Sequence, residues 1–187
     1  MPLGRRTSAI GGVLAASVAL SACGGSSSSS SVVTPAAYMK TVCQTVISFR
    51  QQLQASSNAL HAVTDTALPA RKQALQTFLT SFSSSAKSAA SKIEGAGSPN
   101  VSNGKQVSSA LDTVFTRLQS SLNQDAATAK SLSTQDPTAF KNVTAALGHT
   151  MQTQGSAVSG GLTGLKSPAL ESAAKKEPAC QRLRSGA

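Results

Sequence analysis

From Pro35 onward the apolar side chains return every three, four or seven residues, and that period constrains the fold more than any other feature of the chain. Met39, Val42, Val46, Phe49, Leu53, Leu60 and Val63 form the first such series. Steps of this size place side chains along one face of an α-helix, whereas a half-buried strand needs strict alternation, which no segment shows. Thr34 offers a hydroxyl to the orphan N–H groups of a helix start, and Pro35 suits the first helical position because no donor is needed there. The first helix is predicted over Pro35 to Val63.

Pro69 opens a second helix with the stripe Leu75, Phe78, Leu79, Phe82, Ala86, Ala89 and Ile93. Glu94 to Lys105 holds three glycines and a proline and is predicted as a connection, because these residues break helices. The third stripe runs through Val107, Leu111, Val114, Phe115, Leu118, Leu122, Ala129 and Leu132. Asp136 caps a fourth helix with Pro137 in its first turn and Phe140, Val143, Leu147, Met151, Val158, Leu162 and Leu165 on its face. A short fifth helix is expected from Pro168 to Lys176, stopped by Pro178. Four long amphipathic helices with short connections must bury their stripes on one another. The predicted fold is therefore all-α, an antiparallel up-down four-helix bundle with a short fifth C-terminal helix. Residues 35–183 form this single domain and residues 184–187 a tail.

The first 34 residues are of another kind. Arg5 and Arg6 precede an apolar or small run from Ala9 to Leu20, which is the layout of a signal peptide. The run is shorter than the roughly 20 residues that a membrane-crossing helix needs. It ends in Leu20-Ser21-Ala22-Cys23, which resembles the bacterial lipobox. That resemblance implies removal of residues 1–22 and a diacylglycerol on the thiol of Cys23, the first residue of the mature chain. Lipid chains gain about 0.8 kcal/mol per buried methylene, so two chains anchor durably. Gly24 to Ser31, two glycines and six serines, reads as a flexible tether within a linker over residues 23–34. The chain is thus expected at the extracytoplasmic face of the cell membrane, lipid-anchored or shed from it.

With Cys23 lipidated, Cys43 and Cys180 remain. An even pair in an exported chain implies a disulfide. An up-down bundle also brings its two chain ends to one end of the molecule, where these cysteines lie. The alternatives are a redox dithiol, which usually has its cysteines close in sequence as CxxC, and a thiolate metal site.

The whole chain has 17 Lys and Arg against 7 Asp and Glu. Without Arg5 and Arg6, 15 cations face 7 acids, a net charge of +8. Nucleic acid is not an expected partner: the cations are scattered apart from Arg71-Lys72 and Lys175-Lys176, Trp is absent and Tyr38 is the single tyrosine. The same shortage leaves Tyr38 a poor platform for sugars. Anionic envelope polymers or lipid headgroups suit the charge better.

No catalytic constellation is visible, and the chain is not expected to be an enzyme or to carry a metal or cofactor. His61 and His149 lie off the stripe centres. The Glu-x-x-His pattern of di-iron bundles is missing. Asp112 and Asp125 read as exposed helix positions and Asp136 as a cap. Ala157 stands where a nucleophile elbow around Ser159 would need glycine. One oddity is the glycine-rich fourth helix, with Gly148 and Gly155 on a shared face and Gly160, Gly161 and Gly164 beyond. It suggests close helix contact or fraying on one reading, and a loosened wall beside an apolar cavity on another.

The segments Tyr38 to Cys43, Gly95 to Lys105, Asp136 to Phe140 and Leu165 to Leu183 resemble those of uncharacterised small secreted proteins and lipoproteins of actinobacteria. The resemblance implies an exported helical domain tied by two cysteines, and it carries no activity. The function expected first is a non-catalytic interaction or structural module at the envelope. The second is a carrier for a lipid or other small apolar ligand.

Overall fold

The computed structural model describes residues 31–63, 66–163 and 167–185. The expected leader, Cys23 and Gly24 to Ser30 of the expected tether lie outside these residues. So do Asp65, Gly164, Leu165, the side chains of Met151, Val158, Ser159 and Leu162, and the surroundings of Gly155, Gly160 and Gly161.

The protein is mostly helical. The long helices α1 (Pro35–His61), α2 (Leu68–Gly95) and α3 (Gly104–Ser131) pack together, with α2 between α1 and α3. Helix α4 (Pro137–Thr163) lies on α3. Two short helices, α5 (Pro168–Lys176) and α6 (Pro178–Ser185), close onto α1. The predicted caps are present. Thr34 Oγ1 accepts from Ala37 N at 3.2 Å, and Asp136 Oδ1 accepts from Thr138 N and Ala139 N at 2.9 Å.

At the centre the ring of Phe49 meets Phe82 at 5.3 Å and Phe115 edge-on at 5.4 Å, so one aromatic group unites α1, α2 and α3. Leu79, Ile93 and Leu122 are fully buried on either side. Side chains of α2 also satisfy the end of α3. Lys72 Nζ donates to the Leu132 carbonyl at 2.7 Å, and Gln76 Nε2 donates to that of Ala129 at 3.2 Å. These carbonyls have no partner within their own helix, so the two bonds fix the antiparallel register of α2 and α3.

Three expectations need correction. First, Pro178 stops α5 but also starts α6. A proline cannot continue a helix yet is well placed to begin one, and Glu177 Oε1 accepts from Ala179 N at 3.3 Å at that start. Second, a short strand pair exists. Val32–Val33 (β1) runs parallel to Ser98–Pro99 (β2), with Ser98 N donating to Ser31 O at 2.9 Å and Asn100 N to Val33 O at 2.8 Å. Residues read as the end of the linker are thereby held by the glycine-rich connection. Gly97 permits this with φ +76°, and a Cβ there would strike the Ser31 carbonyl. A Cβ on Gly104 would likewise strike the Pro99 carbonyl. Two-residue strands carry no alternation to read, and this pairing joins segments 66 residues apart.

The third correction concerns Asp125, which is only 7 % exposed. It stands three residues after Leu122 and four before Ala129, in the middle of the α3 stripe. Its position, rather than its charge, decided its burial. Asp112 is half-buried, and Asp136 is exposed as a cap should be.

Candidate functional site

Where α1 ends and α2 begins, α4 crosses the core without filling it. A cavity of about 240 Å³ lies between Leu60 of α1, Leu75 and Phe78 of α2, and Phe140, Leu147 and Gly148 of α4. Its wall is apolar because these residues are the stripe positions of three helices, turned inward by helical period. Leu60, Val63 and Phe78 also border a groove of about 590 Å³ that runs between α1 and α2 along Ala59, Ala70 and Ala74. Small side chains leave this groove open.

Gly148 belongs to this wall. A Cβ there would meet no heavy atom within 4 Å. Close helix contact therefore does not explain this glycine; it borders open space. The opposite wall carries a cation. The Arg71 guanidinium lies 5.5 Å from the centre of the Phe140 ring, half-buried and in reach of the cavity lining. Thr144 Oγ1 turns back to the Phe140 carbonyl at 3.0 Å.

His61 reaches the rim of this cavity and is exposed; His149 is exposed on α4. The wall joins His61 with Thr144 and Arg71, but among the described residues it brings no carboxylate or serine to them. No group of three or more His, Cys, Asp or Glu side chains suited to a metal occurs among the described residues. The sequence reading missed Arg71 as a site residue. The available signal was its place four residues before Leu75, on the α2 stripe.

Cys43 and Cys180 form a disulfide with Cα atoms 5.1 Å apart. Ala174, Ala179 and the half-buried Met39, Ile47 and Leu183 enclose it. Such a bond points to an oxidising, extracytoplasmic compartment. Among the described residues no helix is long and apolar enough to cross a membrane. Tyr38 is 1 % exposed and unavailable for stacking on a sugar. Its hydroxyl has no hydrogen-bond partner among the described residues, and burial pushes its pKa up to about 12.

Comparison of the chain with protein-family models, with curated proteins and with solved structures gave no match.

Proposed function

We propose that the chain is an exported lipoprotein, anchored through a lipid on Cys23, whose domain is a non-catalytic binding module at the cell envelope. In this reading α4 completes an up-down bundle with α1–α3 and serves as the movable wall of a site for a small apolar or amphipathic molecule. The observation that supports ligand binding is the apolar cavity beside Gly148, continuous in its lining with the α1–α2 groove. Arg71 at its wall suits a ligand with an anionic head and an apolar tail.

The test uses the processed chain and dodecanoate as probe. Calorimetry is expected to show saturable binding that Gly148→Leu abolishes by filling the cavity, while thermal unfolding stays cooperative. Binding that is absent, or unchanged in Gly148→Leu, removes the reading. The anchor is tested separately by the mass of the membrane-bound chain, which should include a diacylglycerol that Cys23→Ala eliminates.

A further inference from the structure

The cations that look scattered along the chain converge in space at the end where the tether joins the domain. Helices α1, α2 and α3 bring Lys40, Lys92 and Lys105 there, from the start of α1, the last turn of α2 and the first turn of α3. Helices α5 and α6 add Lys175 and Lys176, then Arg182 and Arg184, and the Cys43–Cys180 bond holds this segment against α1. All seven are exposed. Exposed Glu94 and Glu171 and half-buried Glu177 are the acids of the same end, with Asp112 about two turns further along α3.

A cleft of about 620 Å³ marks the convergence. Lys92 and Arg182 line it together with Thr41, Gln44, Thr45 and Gln51. Its described lining contains no acid. The carbonyls at the end of α2 are occupied there, since Ala96 N and Gly97 N donate back to the last turn. The cleft therefore offers hydroxyl, amide and cationic groups to an anion.

We propose that this end of the domain docks on the anionic phospholipid headgroups of the membrane, with the Lys92–Arg182 cleft receiving a headgroup phosphate. The argument rests on the anchored reading of Cys23 for its geometry. From Cys23 to Ser31 the tether spans at most about 28 Å. Helix α1, by its 27 residues, is about 40 Å long. Because Ser31 is bonded to Ser98, the tether leaves from the basic end itself and keeps that end nearest the bilayer. A lipid anchor and a basic surface are two complementary attachments. Each cation at an anionic surface contributes roughly fivefold to partition.

The test is amine acetylation of the full processed chain, reconstituted in vesicles of phosphatidylglycerol and phosphatidylcholine or of phosphatidylcholine alone. On the anionic vesicles Lys40, Lys92, Lys105, Lys175 and Lys176 should react several-fold more slowly. Lys130 and Lys141, far from the tether, should react alike on both. High salt should remove the difference, because the screening length falls to about 3 Å at 1 M. The variant Lys175→Glu/Lys176→Glu should reduce the protection, and Lys130→Glu/Lys141→Glu should not. Equal reactivity of the tether-end lysines on both vesicles overturns the proposal, as does their protection by soluble poly(glycerol phosphate) alone. The mass of the chain reports independently whether Cys23 is lipidated. If it is not, the same labelling is read on processed chain added to the vesicles.

Discussion

The guanidinium of Arg71 stands 5.5 Å from the ring centre of Phe140 and ties α4 to the start of α2. This contact closes one side of the apolar cavity, and α4 otherwise rests on α3. Arg71→Ala is expected to cost about 1 kcal/mol, and Phe140→Ala about 3–5 kcal/mol, since that ring is buried in the core. Hydrogen exchange should show the α4 amides opening first in both variants, with α1–α3 still protected. Equal loss of protection across all four helices would show that α4 belongs to the same cooperative unit as the core.

Removing the disulfide should be the largest single loss. The bond closes a loop of 137 residues in sequence separation. Restricting the unfolded chain in this way contributes about 5 kcal/mol on the chain-entropy view, before native strain is considered. Cys43→Ala/Cys180→Ala is expected to lower the denaturant midpoint and to release α5 and α6 from α1. An unchanged midpoint would show that packing alone holds them.

Asp125 buries a carboxylate whose Oδ2 has no hydrogen-bond partner among the described residues, and desolvation raises its pKa. A raised folded pKa favours the protonated form in the native state. Its contribution is therefore present below the unfolded value of about 3.9 and lost as pH rises through the folded value. Asp125→Asn should stabilise the protein at pH 7 by about 1 kcal/mol and lose that advantage as pH falls toward 4. Denaturation curves across this range check it; a gain independent of pH would contradict the assignment.

Tyr38 gives the opposite end of the pH scale. Its folded pKa of about 12 lies above the unfolded value of about 10. The protonated fold is favoured, and stability is lost as pH rises from about 10 to 12, by roughly 2–3 kcal/mol in all. Tyr38→Phe keeps the buried ring, removes the unpartnered hydroxyl and should flatten this part of the alkaline unfolding profile. An unaltered profile would assign the loss to other groups.

Much of the architecture was legible because helices are local. The three-and-four spacing placed α1 to α4, Pro168 and Pro178 bounded α5, and Thr34, Asp136 and the other prolines marked starts within a few residues. The Cys43–Cys180 pairing was legible for a different reason: if Cys23 carries a lipid, these are the two cysteines left. Asp125 is buried by its place between Leu122 and Ala129, although its residue type favours exposure. Arg71 is likewise a wall residue by its place one turn ahead of Leu75, although its charge favours exposure.

The sequence by itself determined the helical faces of α1 to α4 and most helix starts, properties of period and residue chemistry within one segment, while the cysteine pairing followed from their number. Tertiary structure alone decided which face stays partly unfilled, leaving a cavity beside Gly148. It also bonded Ser31 to Ser98 and brought Lys40, Lys92, Lys105, Lys175, Lys176, Arg182 and Arg184 to the end of the domain where Ser31 lies. Cavities, strand pairs and charged surfaces arise where distant segments meet, and no local period along one segment encodes such a meeting.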